Sequence, residues 1–562
     1  MKIQVAAKTG TYSDALEAIG TASILEELGF SKVLIRDLGQ TLLVSSDDTI
    51  APVDWRVPSA GYPYIWESAK EPHPAIKGTV LDYEGEKLTE QAWIAFDKQA
   101  RKSKGKAVAQ LDEQELSAPA RPHPSLRTAK MLASMRKGWN SDRDLAKWID
   151  SEPAGLMPWI RRSLGVVDEV VSAAGSPPRP DISSTQIMNP IAGKGINAPK
   201  TNWRAPNSPP DALINPFAEW MKMRGLWIAM LPYRSDDDFK FFVIEPRDIR
   251  LSGLRKLREE MDKLQLWGGI RLDIESTLRL TELLIRHSDV YESSEDSIRL
   301  RRRKPAEVVG GLRQAYFKSL GTAAALMNDA LLPLPDWFVV ESKEDCDQYL
   351  QIIEEALGSE PGQRKGNLGM LDEGHSDEGA ILQQYRQWIL SSDLFDLLRF
   401  HHSYAQKVMQ KLAAKEYAPT FGTTNLDILV RRAYQEKYPV TEIIENPGFK
   451  SVARAIRNST IYALGMKNSN REVHFGLAQK WKQKMKGGAG ELVAAISEFV
   501  QTQNWEVTSK HEGRGHIVTT DDLSSLLSLF KEKSDAELVG SLLLAYGYAR
   551  APKIETEGTA QA

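Results

Sequence analysis

The chain has 562 residues, a formal net charge of -3 and a single cysteine, Cys346. That balance excludes a histone-like polycation, and one cysteine excludes an intramolecular disulfide and any multi-cysteine zinc site. The length predicts several domains, and 42% hydrophobic with 26% charged residues fits a folded chain in a reducing compartment. The first twenty residues carry no basic-then-apolar signal pattern, and no run of 18 apolar residues occurs, so the expectation is a cytoplasmic protein without membrane contact.

In chain order, Met1–Ala6, Lys32–Ile35 and Leu42–Ser45 alternate as strands, and Ser13–Leu28 has helical spacing. No Gly-rich turn of dinucleotide-binding type joins the first strand to the helix. Residues 101–140 hold nine Lys/Arg against three Asp/Glu. Acids are absent from Ile182 through Pro210, where Asn189, Gly193, Lys194, Gly195, Asn197, Lys200, Asn202, Trp203 and Arg204 stand close together. Such text is poor helix or strand material, and its composition favours contact with an anion.

Phe217–Arg224 reads as a helix stopping at Gly225, followed by a hairpin of Leu226–Tyr233 and Phe239–Ile244 with a solvated acidic tip. Residues 250–330 read as helical, with a basic run at Arg299, Arg301, Arg302, Arg303 and Lys304. Residues 341–380 hold eleven Asp/Glu against three Lys/Arg, which predicts a linker near 357–379. From 380 to 550 apolar residues recur at three and four, and Thr519–Asp522 forms a helix start. The fold class expected is therefore α+β: an irregular mixed N-terminal body over 1–355, with a loop around 182–210, a connector over 356–379, a C-terminal helical bundle over 380–550 and a flexible tail over 551–562.

Catalytic signatures are missing. There is no Walker A motif, no HExxH and no GxSxG. His401–His402 are successive residues that do not share a helix face, Cys346 sits among acids that raise a thiol pKa, and Asp236–Asp238 reads as a hairpin tip in water. No catalytic residue, metal or cofactor is expected. The basic patches carry more. Residues 401–490 hold fifteen Lys/Arg against six Asp/Glu. Lys407, Lys411 and Lys415 recur every four residues, as on one helix face. Arg431, Arg432, Arg454, Arg457, Lys480, Lys482 and Lys484 follow as candidates for a nucleic-acid backbone.

The segment STQIMNPIAGKGINAPKTNW followed by LINPFAEWMKMRGLWIAMLP, with AIRNSTIYALG at 455–465 and ELVGSLLLAYGYAR at 537–550, resembles the large subunit of a type I CRISPR surveillance complex (Cascade), in particular subtype I-B-like divergent large subunits. The resemblance implies a non-catalytic protein that recognises a short flanking motif on target duplex DNA, supports R-loop formation and steadies the displaced strand. Its C-terminal helices resemble the complex's separate small subunit. The implied partners are guide RNA, target double-stranded DNA, the backbone, guide-end and small subunits, and a helicase–nuclease or, in transposon-associated systems, transposition machinery. On this reading Asn189, Lys194 and Asn197 recognise the flanking motif. Lys200, Arg204 and the helical cations hold DNA backbone. Two other classes stay open: a metal-dependent nuclease with unrecognised carboxylates, and a protein–protein scaffold without nucleic-acid contact.

Overall fold

The computed structural model describes residues 1–103, 119–134, 139–166, 187–190, 215–319, 324–359, 366–465, 473–510, 516–530 and 536–552, apart from 77, 152, 236–237 and 293. The chain divides into two units. The first holds Met1–Lys263, Ser294–Arg299 and Ala306–Leu332; the second holds Leu264–Ser293, Leu300–Pro305 and Pro333–Ala562. The N-terminal region mixes sheet and helix, and the C-terminal region is rich in helix. No helix among the described residues is long and apolar enough to cross a membrane.

In the first unit, β1 (Lys2–Ala6) and β3 (Thr41–Ser45) form where the alternation predicts them, and β2 (Leu34–Asp37) lies two residues later than expected, after Lys32 at φ +48°. With β8 (Asp248–Arg250) they make an antiparallel sheet in the order β1-β3-β2-β8. Between β1 and β2 runs α1 (Tyr12–Leu28), started by Thr11, whose hydroxyl accepts from the Ser13 amide, and stopped by Gly29 at φ 115°. Fourteen of its seventeen residues are buried, so it is covered on all sides rather than along one stripe. Smaller elements follow: a parallel pair of β4 (Tyr64–Trp66) and β5 (Val80–Asp82), then α2 (Tyr83–Ser103), α3 (Leu126–Ser134), α4 (Asn140–Ser151) and α5 (Pro153–Ser163).

The helix expected to stop at Gly225 continues. α6 spans Pro216–Ala229, capped by Asn215 with Pro216 in its first turn. Gly225 serves close approach instead of termination. A Cβ there would stand 2.0 Å from the Leu16 carbonyl oxygen, and one at Gly20 would stand 1.8 Å from the Met221 carbonyl oxygen. These two glycines let the backbones of α1 and α6 touch. The following strand accordingly starts four residues later than expected, as β6 (Met230–Ser235), and pairs with β7 (Asp238–Pro246). β9 (Val309–Ser319) and β10 (Ala324–Pro333) complete a second sheet in the order β10-β9-β7-β6.

Residues 250–330 are thus not uniformly helical. Helix α7 (Leu251–Lys263) is as expected, but Val309–Ser319 and Ala324–Pro333 are strands. The Ala- and Leu-rich text of β10 has helical propensity, and its pairing beside β9 in the sheet overrides it.

In the second unit α8 (Ile270–Arg286) packs on α9 (Lys343–Leu357) and α10 (Ser376–Ser391). Then come α11 (Leu394–Ala413), α12 (Thr423–Tyr434), α13 (Val440–Glu445), α14 (Pro447–Ser459), α15 (Ile461–Gly465), α16 (Leu477–Lys486), α17 (Ala489–Lys510), α18 (Thr520–Ser528) and α19 (Ala536–Tyr548). The helix start expected at Thr519–Asp522 is a capping box: Thr519 Oγ1 accepts from the Asp522 amide and Asp522 accepts from the Thr519 amide.

The division between units falls near 264–333, not near 356–379. Residues 366–379 of the expected connector are seated inside the second unit. Glu373 accepts from the Gly269 and Arg271 amides at 3.0 and 3.1 Å, and the Arg271 guanidinium donates to the Leu368 and Leu371 carbonyls.

Candidate nucleic-acid interface

Of the acid-free segment of the first unit, Ile187–Pro190 is described, and it is held by α1 and α6. The Tyr12 hydroxyl donates to the Ile187 carbonyl at 2.7 Å, and the Ser13 hydroxyl donates to the Met188 carbonyl at 2.6 Å. The side chain of Asn189 is buried. Its Nδ2 donates to Glu219 Oε2 at 2.7 Å, and its Oδ1 accepts from Lys222 Nζ at 2.7 Å. Lys222 also donates to Glu219 Oε1 at 2.9 Å, so amide, carboxylate and ammonium close a buried triangle. Asn215 caps α6, its Oδ1 accepting from the Phe217 amide at 2.9 Å. Lys194, Asn197, Lys200 and Arg204 lie outside the described residues.

Asn189 therefore stands where its amide edge is fully used by protein. Burial also raises the Glu17 carboxyl above its usual range, and the charges of Lys222 and Lys8 pull it back. The platform under the segment is a compact set of compensated charges.

Six of the ten candidate cations in the second unit's basic zone are ion-paired. Lys407 lies 2.8 Å from Asp377 and 2.7 Å from Glu378, and Lys411 lies 3.7 Å from Glu378. Arg431 bridges Asp427 and Glu445. Arg432 binds Asp345 and Gln348 and lies over the Phe338 ring. Lys480 meets Glu498 at 2.8 Å and Lys484 meets Glu491 at 3.1 Å. Lys415, Arg454 and Lys482 are exposed, and no ion pair joins them to a carboxylate among the described residues. The stripe expected at 407, 411 and 415 is interrupted, because α11 ends at Ala413 and Lys415 has φ +62°.

Arg457 is buried and works as a C-terminal cap. It donates to the Ala549 and Tyr546 carbonyls at the end of α19. Arg457→Met is expected to lower unfolding free energy by about 1.5–3 kcal/mol, the usual worth of a charged hydrogen bond, while leaving any nucleic-acid salt dependence unchanged. Denaturant titration and a binding series at several salt concentrations check both halves.

His401 and His402 are both buried in α11. Burial, reinforced by His402, pulls His401 down to about 3; burial pulls His402 down to about 4, opposed by its bond to the Ser541 carbonyl. Both rings are neutral in the fold, while the unfolded chain takes up protons below about 6.5. Stability is therefore complete above that pH and falls as pH drops toward 4, at up to about 1.4 kcal/mol per pH unit for each ring. Burial raises Glu355, which acts in the opposite sense, so the comparison is between chains. His401→Leu is expected to remove about half of the extra slope between pH 6.5 and 4.5 in a series of denaturant curves.

Among the described residues no group of three or more His, Cys, Asp or Glu is placed to hold a metal ion. Asp238, at the hairpin tip, accepts from the Tyr316 hydroxyl and the Ser319 amide. Cys346 is buried, and desolvation pushes its thiol up to about 11. A cleft of about 660 Å³ in the first unit is lined by Tyr62, Tyr64, Ile76, Ile149, Asp150 and Glu27. Glu27 is taken there by Arg224 and by the Ser59 amide and hydroxyl.

No protein-family model matches the chain, and no curated protein matches it significantly.

Proposed function

We propose that the chain is the non-catalytic large subunit of an RNA-guided DNA-targeting complex of the type I CRISPR kind, working in the cytoplasm. In this role Gln186–Asn207 is the local duplex reader, while guide–target pairing carries the long sequence specificity. The observation that supports the reading is the seating of Ile187–Pro190, the four described residues of that segment. Asn189 is fixed in a buried, charge-compensated set with Glu219 and Lys222, and a reader needs such an anchor if it is to be held in register. Asn189 then positions the segment, and Lys194 and Asn197 are left for the flanking motif, with Lys200 and Arg204 on phosphate.

The C-terminal helices, read as a bundle over 380–550 like the separate small subunit, take the displaced strand. Of the ten candidate cations there, Lys415, Arg454 and Lys482 are the exposed ones without a carboxylate partner among the described residues. A helicase–nuclease or a transposition complex is the machinery recruited. A second reading, the protein–protein scaffold, is favoured by one observation: Lys407, Lys411, Arg431, Arg432, Lys480 and Lys484 are already neutralised by carboxylates.

The two readings separate on co-purification from the native host. The proposed subunit elutes with a guide-length RNA and backbone proteins, and nuclease treatment of the RNA disperses the assembly. A scaffold elutes with protein alone and is indifferent to nuclease.

A further inference from the structure

Within the basic run at 299–304, the turn Leu300–Arg303 of the second unit carries Arg301 and Arg302 at its surface. The Arg303 amide donates to the Leu300 carbonyl at 3.0 Å, closing a four-residue turn. The Leu300 and Arg301 amides both donate to Asp289 Oδ1, at 2.9 and 3.1 Å. The Arg302 amide donates to the Val340 carbonyl at 2.7 Å, and the Val340 amide returns a bond to the Arg303 carbonyl at 2.9 Å. Every amide from 300 to 303 is thus fixed, and the turn is a rigid base.

Two arginines stand on that base. Arg301 and Arg302 are exposed, and no carboxylate pairs with either among the described residues. Two acids of the neighbourhood are occupied: Asp289 by the turn's own amides, and Asp336 by Lys304 at 3.2 Å. Arg302 has φ +61°, a conformation in which a side chain costs roughly 1–2 kcal/mol and which Gly or Asn adopts more readily. Two adjacent like charges add repulsion. An anion placed between the guanidinium forks relieves it, and the planar fork matches phosphate oxygens in pairs.

We propose that the Arg301–Arg302 turn is a phosphodiester-binding site that grips a nucleic-acid backbone without reading bases. This rests on the reading of the chain as a nucleic-acid-binding subunit and adds a contact outside Gln186–Asn207 and the helical cations. A nucleic acid fits better than an acidic protein. The tip of the turn offers charge alone, with Leu300 buried beneath it, whereas protein interfaces are built around apolar and aromatic cores.

The test uses the full chain, a labelled duplex of arbitrary sequence, the matching single strand, and a salt series. The variant Arg301→Gln/Arg302→Asn removes both charges and relieves the backbone at 302, so its denaturant curve should match or exceed that of the wild type. Its affinity is expected to fall about tenfold or more at low salt. The slope of log affinity against log salt should become shallower by about 1.8 on duplex and about 1.4 on single strand, alike for any sequence. A folded variant that keeps wild-type affinity and slope overturns the site, as does a wild-type chain with no salt-dependent binding to either probe. Loss of protein partners with nucleic-acid binding intact also overturns it, and assigns the turn to a protein contact. None of these results touches recognition of a flanking motif, which is measured in the guide-loaded complex.

Discussion

Gly20→Ala is expected to destabilise the first unit by about 3–5 kcal/mol, a large effect for a single methyl group. The added carbon would stand 1.8 Å from the Met221 carbonyl oxygen and 2.5 Å from its carbonyl carbon. Both atoms are backbone, so no side chain can swing aside, and α1 and α6 must separate. Separation opens the core that the buried faces of both helices share with β3 and β7. Gly225→Ala meets the Leu16 carbonyl in the same way and should match it. Gly490→Ala is the control. A Cβ there meets nothing within 4 Å, and stability should stay within about 0.5 kcal/mol of wild type. Denaturant midpoints of the three variants decide the point, and equal midpoints would refute the close crossing.

Lys222→Met should cost about 3–5 kcal/mol, because it strands a charge instead of merely deleting a contact. The Glu219 side chain is fully buried and the Lys222 side chain nearly so. Without the ammonium, Glu219 keeps only the Asn189 amide from the triangle. Glu17, already raised by burial, loses a charge that lowers it. The double variant Glu219→Gln/Lys222→Met removes both charges and should regain most of the stability, since a buried pair replaced whole is often close to neutral. The same single variant loosens the seat of Asn189, so in the assembled complex it should also blunt discrimination between flanks. A single variant as stable as wild type would contradict the triangle.

Much of the first unit's fold was readable from period alone. β1, β3 and α1 lie where alternation and helical spacing put them, since each buries a face of matching periodicity. Gly225 was misread because a helix-breaking residue and a close-approach residue look identical until the partner backbone is known. Strand β10 reads as helix because Ala and Leu favour helix, and its place at the edge of the sheet beside β9 decides otherwise.

The candidate site was legible as composition but not as pairing. The acidic segment 341–380 and the basic zone 401–490 read as two separate features. In the fold Asp345, Asp377 and Glu378 of the first neutralise Arg432, Lys407 and Lys411 of the second. A charge count along the chain cannot see partners 29 to 87 residues away. Asn189 likewise reads as a polar candidate for the flanking motif, and nothing in the sequence shows that Glu219 and Lys222 bond both ends of its amide.

The central claim is that this chain reads the flank of an RNA-guided target. The most direct measurement compares guide-loaded complexes assembled with and without it, on duplexes that share one target sequence and differ only in the flank. With the chain present, affinity and duplex opening should depend strongly on the flank, and Lys194→Ala/Asn197→Ala should erase that dependence while guide–target pairing on single strands survives. A complex lacking the chain that discriminates flanks equally well would contradict the account.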